Sequence, residues 1–393
     1  MAYGLDKKLS KLTLESLNNS NINPNKIEEQ YILTFDLGGG TFDISLLELS
    51  DSEENIFDVK ATSGDNYLGG DDFDNKLVDY CLEKFCKNNN IDKNKILTDK
   101  RCIKRLKKQC ENSKKILSYI NQTNIYIDEF IDGKDLDIRI TKAKFEELCK
   151  PLFDKLLYHV EKVLKDANLN KSNINEVVLI GGSSKIPKVK DIISNYFRGT
   201  KINSEINPDE TVAYGAGIYA AKLINQGGDI LNDLILKDIT PLSLGIAIVN
   251  ENSNPKIKSL GDLMSIIIPR GTRITIALYK DYTNSLDNQE KMIIQIFEGE
   301  RKYIKDNHLL GKFIIDLPKG PRGEIKVKVG INVDINGILN ITAIEKSGKY
   351  KKEIKIKNDK DIIDEKEFIE IKKRNKKIFN KKEFNLEKNY KKK

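Results

Sequence analysis

From Tyr31 onward, short apolar runs alternate with polar breaks, and the rhythm predicts strands at residues 32–37, 41–49 and 56–62. The period then changes. Phe73, Leu77, Cys81 and Phe85 recur every four residues, and Ile103, Leu106, Cys110 and Leu117 follow a similar spacing, so two helices are predicted. Short strands fit 124–130 and 136–140. A longer helix carries Phe145, Leu148, Leu152, Leu156, Val160 and Val163 on one face. Thr141 is a fitting N-cap for it. Pro151 lies inside the pattern and should kink or divide the helix, since proline lacks the N–H and crowds the preceding turn. Residues 176–180 form a near-continuous apolar strand that runs into a further helix. Mixed strands and helices up to about Ile224 predict an α/β domain.

At 225–229 the pattern breaks in NQGGD, and the short, partly apolar LNDLILKD follows. The predicted organisation is an α/β domain over 1–226, a linker over 227–237 and a second domain over 238–357. The second domain reads as strands at 266–268, 274–278, 292–297, 313–317, 325–333 and 338–344. Ile325, Val327, Val329, Ile331 and Val333 alternate strictly, and Asn336-Gly337 between two runs signals a hairpin. This domain is predicted to be antiparallel β with one solvated face. Residues 358–393 read as a basic, helical or disordered tail. Residues 1–30 are polar and Asn-rich with little periodicity.

Composition removes several function classes. Hydrophobic residues make up 39% of 393, enough for globular cores in one to three domains. Lys and Arg exceed Asp and Glu by 67 to 59, a net charge of +8. Residues 361–393 hold 12 basic and 7 acidic side chains, so +5 of that excess sits in the last 33 residues. Such a tail is read as a solvated segment, and no nucleic-acid partner is expected. Cys81, Cys86, Cys102, Cys110 and Cys149 form no C-x-x-C pair, and four fall on helical core positions. They read as reduced, buried thiols in a cytosol-like compartment. His159 and His308 are the two histidines, too distant in sequence to suggest a zinc site or a histidine triad. No apolar run approaches the roughly 20 residues that span a bilayer, so no membrane partner is expected and the location is read as cytoplasmic.

The chemistry concentrates in glycines. Gly38, Gly39 and Gly40 stand between two strands, where each glycine costs about 0.5–1 kcal/mol relative to alanine. A bare backbone can touch a ligand, and successive N–H groups in a tight turn form an anion-binding concavity. Asp36 and Asp43 flank the bend with Thr41. Amides for phosphate oxygens and hard oxygen ligands for Mg²⁺ are what a metal-bound polyphosphate needs. The plain alternative is a glycine-rich hairpin with acidic surface residues. Gly181-Gly182-Ser183, between a strand and a helix, repeats the arrangement. Gly69 and Gly70 stand at the start of the helix that carries Phe73, with Asp71 and Asp72 in its first turn, where acids also suit the helix dipole. Neither the P-loop spacing nor the dinucleotide GxGxxG spacing is present. Together the three bends suggest a nucleotide.

DLGGGTFDIS, GDNYLGGDDFDN, CENSKKILS, FEELCKPLF, VVLIGGSSKIPKV, INPDETVAYGAGIYAA, DITPLSLGI, EGER, DNHLLGKF and GILNITAIEKSGK closely resemble the 70-kDa heat-shock chaperone family, in family order from about Ala2 to Lys360. The wording is most similar to the cytosolic eukaryotic branch. The resemblance implies an actin-like ATPase fold with a ribonuclease-H-like lobe, then an antiparallel β-sandwich and a helical tail. It implies an ATP-binding, stress-response chaperone that grips extended apolar segments of unfolded polypeptides, works with J-domain co-chaperones and nucleotide-exchange factors, and uses ATP or ADP with Mg²⁺. By position, Asp36, Gly38, Gly39, Gly40, Thr41 and Asp43 match the phosphate and Mg²⁺ loop, with Asp36 and Thr41 as catalytic and Asp36 and Asp43 as metal residues. Gly70, Glu111, Lys114, Lys115, Ser118, Gly181, Gly182, Ser183, Lys185, Ile186 and Asp209 match the rest of the nucleotide site. Ile246, Val249, Tyr282, Met292, Ile294 and Val327 match the peptide channel, although each is also an ordinary β-core residue.

The chain departs from the family in places. Lys115 and Lys185 replace arginines that sandwich the adenine, and a point-like ammonium stacks less well than a guanidinium. Lys237 stands in the linker where an apolar residue is usual. The family's upstream phosphate loop, its catalytic lysine and a glutamate have no counterpart in this sequence, and the helical lid is reduced to 361–393. The expectation is a partial nucleotide domain that hydrolyses ATP very slowly or not at all by itself. A nucleotide-independent peptide-binding module is the alternative.

Overall fold

The computed structural model describes residues 30–51, 55–203, 207–224, 234–249 and 263–356. The expected leading segment, the first part of the linker and the basic tail lie outside the described residues. The chain divides into two compact units, Met1–Lys237 and Asp238–Lys393.

The first unit is built on a six-stranded mixed sheet. In chain order its elements are β1 (Gln30–Leu37), β2 (Phe42–Asp51), β3 (Asn55–Asp65), α1 (Gly70–Asn89), α2 (Lys93–Thr98), α3 (Lys100–Leu117), β4 (Gln122–Ile131), β5 (Lys134–Thr141), α4 (Lys142–Leu148), α5 (Lys150–Asp166), β6 (Ile174–Ile180), α6 (Pro187–Tyr196), β7 (Lys201–Asn203), α7 (Thr211–Leu223) and β8 (Leu234–Lys237). The strand order is β7-β6-β1-β2-β3-β8, with β4 and β5 forming a separate hairpin. β1, β2 and β3 pair antiparallel, while β6, β7 and β8 join parallel.

Alternation along the strands sorts the two faces. Leu33, Phe35, Leu37, Phe42, Ile44, Leu46, Val177 and Leu179 point into the main core, against Phe73, Leu77 and Cys81 of α1, Leu106 and Cys110 of α3 and Leu156 and Val160 of α5. Ile32, Phe57 and Val178 point to the opposite face, where Ile218 and Ala221 of α7 lie. Apolar residues on both faces explain why β6 reads as continuous rather than alternating.

Pro151 divides the long helical pattern as expected. α4 ends at Leu148 and α5 begins at Lys150 with proline in its first turn, where a missing N–H costs nothing. Thr141 Oγ1 accepts the Lys144 N–H at 3.2 Å, a standard N-cap bond. Four cysteines are buried, Cys86 is half-buried, and all are free thiols. The expected linker differs in part: Leu234–Lys237 pairs with Asn55–Asp58 as an edge strand, which places Lys237 in register with buried Asp58.

The second unit contains β9 (Leu244–Ile248), β10 (Leu263–Ile268), β11 (Ile276–Thr283), β12 (Lys291–Glu298), β13 (His308–Asp316), β14 (Lys326–Val333), β15 (Leu339–Glu345) and β16 (Lys351–Ile356). Two antiparallel sheets, β10-β9-β12-β13 and β11-β14-β15-β16, share one core that includes Ile246, Ile268, Ile294 and Phe313 from the first and Val327, Val329, Ile331 and Ile341 from the second. The Asn336-Gly337 hairpin joins β14 to β15 through a five-residue loop rather than a two-residue turn. Val333 pairs with Leu339, Asp334 Oδ1 accepts the N–H groups of Asn336 and Ile338, and the left-handed φ falls on Gly337 alone.

Candidate functional site

The three glycine bends meet at one end of the main sheet. The Gly38 N–H donates to Thr41 O at 3.0 Å and closes the β1–β2 bend. The first amides of α1 hold that bend from outside: Gly70 N–H donates to Gly38 O at 3.0 Å and Asp71 N–H to Gly39 O at 2.8 Å. The start of α1 thus anchors the glycine loop. Asp72 caps the helix by accepting the Gly69 N–H at 2.8 Å. On the other side, Gly181 adopts φ +80°, and a Cβ there would lie 2.3 Å from Leu37 O and 2.8 Å from Asp36 Oδ1. A Cβ on Gly69 would lie 2.5 Å from Gly39 O. These two glycines are demanded by close backbone approach.

Gly39 and Gly40 are different. Neither takes a left-handed φ, and nothing lies within 4 Å of the place a Cβ would occupy. Packing therefore gives no reason for glycine at either position. The bend presents bare backbone to open space, as a phosphate cradle requires.

Asp36 and Asp43 face each other directly across the β1–β2 ladder, so their Cβ atoms lie roughly 4.5–5.5 Å apart and like charges there repel. Burial lifts the Asp36 carboxyl above its ordinary value, and the Asp43 charge adds to the effect. Burial lifts Asp43 as well, while a hydrogen bond from Thr41 draws it back down. Two carboxylates held unwillingly together are a fitting half-shell for a divalent cation. Among the described residues no three His, Cys, Asp or Glu side chains cluster as a metal cage.

Behind the bends, Lys114 Nζ donates to Gly70 O at 2.8 Å and to Asp74 Oδ2 at 2.9 Å, with both side chains buried. A Cβ on Gly70 would meet Ser183 Oγ at 2.5 Å and Lys114 Nζ at 3.2 Å, so these groups converge on one point. Further along, a Cβ on Gly182 would lie 2.8 Å from Asp209 Oδ1. Lys185 Nζ bonds to Asp209 Oδ2 and to Asn207 Oδ1, the latter at 3.3 Å. Lys115 pairs with Glu111 at 2.5 Å. That bond holds Glu111 below the usual carboxylate range. Lys115 is raised by Glu111, with Asp74 and Asp209 adding to it, which places the end of α3 near the Asp209 loop. Ser118 Oγ donates to Lys114 O one turn back at 3.3 Å. Ile186 is buried at the N-cap of α6.

In the second unit the candidate peptide residues separate by burial. Ile246, Ile294 and Val327 are buried in the shared core, while Tyr282 and Met292 pack at its edge and Val249 is half-buried at the end of β9. Tyr282 OH meets Ser265 Oγ at 3.1 Å and Lys280 Nζ meets the same oxygen at 3.0 Å, tying β11 to β10.

The family profile described as Hsp70 protein matches residues 1–393. The chain belongs to the Hsp70 family. It is 44% identical over 361 residues to heat shock cognate 70 kDa protein 3 of Dictyostelium discoideum, covering 92% of this chain and 52% of that protein. It is 42% identical over 362 residues to heat shock 70 kDa protein of Neurospora crassa, with 92% and 51% covered. Against a ribosome-associated molecular chaperone of Saccharomyces cerevisiae it is 41% identical over 333 residues, with 84% and 52% covered. This Hsp70 chain spans about half the length of the curated relatives it matches.

Two site residues of this Hsp70 chain escaped the sequence reading. Asp74 is the buried partner of Lys114, and burial lifts its carboxyl against the pull of the lysine. Its signal was present: a carboxylate beside the apolar stripe of Phe73, Leu77 and Cys81, where a solvated residue does not belong. Pro208, whose carbonyl accepts the Gly181 N–H at 2.9 Å, carried no such signal, because backbone acceptors are invisible in residue type.

Proposed function

We propose that this chain is the nucleotide-gripping and peptide-gripping part of an Hsp70 chaperone. The strand order β3-β2-β1-β6-β7, two antiparallel pairings followed by two parallel ones, supports a ribonuclease-H-like lobe within an actin-like ATPase domain. The boundary near Lys237 supports a partial nucleotide domain followed by a β-sandwich. The observation that carries the reading is the open space in front of Gly39 and Gly40, in a bend flanked by Asp36 and Asp43, with Gly181 packed against Asp36.

In this reading the Gly38–Gly40 backbone and Thr41 bind the phosphates of ATP or ADP. Asp36 and Asp43 would hold Mg²⁺ or its waters, and the ion would supply charge stabilisation to the phosphates there. Asp36, at the strand end, would also accept a hydrogen bond from the attacking water. Lys114, fixed by Asp74, keeps its remaining N–H for the nucleotide. Glu111, Lys115, Ser118, Lys185 and Asp209 line the nucleoside side, where the lysine stems pack on the base. All these groups approach the phosphates from one lobe, so residues 1–393 alone bind nucleotide but hydrolyse it slowly. The second unit takes extended apolar segments along Val249, Tyr282 and Met292. Unfolded polypeptides, J-domain co-chaperones, nucleotide-exchange factors and a cytosolic setting complete the proposal.

The experiment is calorimetric titration of Mg²⁺-ADP into the chain and into Gly40→Val. A Cβ at this position meets no protein atom within 4 Å, so the melting temperature should nearly hold while ADP affinity falls by about 100-fold or more. Equal affinity in the two chains would reject the site.

A further inference from the structure

Among the described residues, the two most exposed large hydrophobic side chains are Tyr67, at 86%, and Tyr119, at 85%. Both stand at the edge of the candidate nucleotide site, Tyr67 just ahead of Gly69 and Tyr119 directly after Ser118. Other exposed tyrosines are tied down. Tyr126 OH bonds to Asp135 and Tyr214 OH to Glu210, Lys305 lies over the ring of Tyr303, and the ring of Tyr279 covers Gly330. Among the described residues, no side chain hydrogen-bonds to Tyr119 or stacks on its ring. Its backbone is nonetheless fixed. The Tyr119 and Ile120 N–H groups both donate to Ile116 O at 3.0 Å, and Asn121 O accepts the Lys142 N–H at 2.8 Å. A ring held out on a fixed turn has only its side-chain torsions to lose on binding, so it offers contact area at low entropic cost.

The position of Tyr119 indicates what the ring is for. α3 keeps helical geometry through Ser118, at φ −72° and ψ −18°, so Lys115 and Tyr119 are i, i+4 neighbours on one face, with Cβ atoms roughly 5–6 Å apart. A side chain here leans back over the preceding turn, toward Lys115 and Ser118. Lys115 lies close enough to the Asp209 loop for that carboxylate to act on it, and Asp209 in turn holds Lys185. Tyr119 thus borders the gap between Lys115 and Lys185. Neither lysine offers a plane to a flat ligand. The Lys115 ammonium is turned back onto Glu111, and the Lys185 ammonium is engaged by Asp209 and Asn207. Each leaves a narrow methylene stem facing the gap, and the phenol ring of Tyr119 is the aromatic plane beside it. Tyr67 is placed differently. Asp65, ahead of it in the chain, pairs with Phe42 next to the glycine bend. Tyr67 therefore belongs to the phosphate end, where an anion gives the electron-rich face of a ring nothing to stack on.

We propose that Tyr119 stacks on the aromatic base of the bound nucleotide and so makes the site select nucleotides over base-free polyphosphates. This rests on the nucleotide reading above and names the group that holds the base. Calorimetric titration of Mg²⁺-ADP and of Mg²⁺-pyrophosphate into the full chain, Tyr119→Phe and Tyr119→Ala tests it. ADP affinity should fall about 10-fold or more in Tyr119→Ala and stay within about 2-fold of the parent in Tyr119→Phe, which keeps the ring. Pyrophosphate affinity should be the same in all three chains, which a general disturbance of the site would not allow. The side chain is exposed, so neither change touches the core. Equal ADP affinity in the parent and Tyr119→Ala, or an equal loss of ADP and pyrophosphate affinity, would overturn the stacking and leave the phosphate grip standing. A parent that binds neither ligand would remove the grip and the stacking with it.

Discussion

At the residue scale, the Asp36–Asp43 pair is the most informative feature. Both carboxyls are lifted in the folded chain, so the ionised pair opposes folding at neutral pH. That cost disappears as pH falls and the folded carboxyls take up protons; the sign is opposite to that of a salt-bridged aspartate. Asp36→Asn should therefore raise the melting temperature by about 2–4 °C, near 1 kcal/mol, with the gain shrinking as pH drops into the carboxylate range. The same variant should lose about 10-fold or more in Mg²⁺-dependent ADP affinity. A variant that melts lower and binds Mg²⁺-ADP unchanged would count against the paired-carboxylate reading. Residues whose role is backbone freedom or charge at a strand end were readable from their type alone. Asp74 showed only as a carboxylate beside an apolar stripe; its partner, Lys114, lies 40 residues away in sequence, and no local pattern reports that pairing.

At the element scale, the bends work through contact between backbones. Gly69 and Gly39 are so close that Gly69→Ala must displace the β1–β2 loop. It should cost about 1–3 kcal/mol and weaken ADP binding, whereas Gly39→Ala, with free space in front of it, should leave stability nearly unchanged. Chemical denaturation of the two variants checks this, and equal stabilities would refute the packing argument. Long periodic elements such as α1, α3 and the divided α4–α5 pair were legible because each buries one apolar face. α2, β7 and β16 were not, being short or largely polar, and β9 was hidden in a stretch broken by Pro241 and Gly245. The edge strand β8 looked like linker because its pairing partner, β3, lies far away in sequence.

At the scale of the whole molecule, the chain joins a mixed α/β unit to an antiparallel β unit. The proposed one-lobe grip on the phosphates predicts that binding of a fluorescent apolar peptide to residues 1–393 should change less than about 2-fold on adding ATP; coupling requires that nucleotide favour one of two states. A loss of peptide affinity beyond about 10-fold would show full coupling within this chain. The shift between mixed and strictly alternating apolar patterns falls near the boundary of the two compact units. The exposure of Val212, Tyr214 and Leu223 on α7 was not readable, since an apolar helix looks buried in sequence whether or not a partner is present. The most direct test of the account is a crystal of the chain grown with ADP and Mg²⁺. The account predicts diphosphate density against the Gly38–Gly40 backbone, with the metal on the Asp36 and Asp43 side and the nucleoside running toward Lys115 and Lys185. Clear density for the loops with no nucleotide between them, or nucleotide bound elsewhere on the chain, would contradict it.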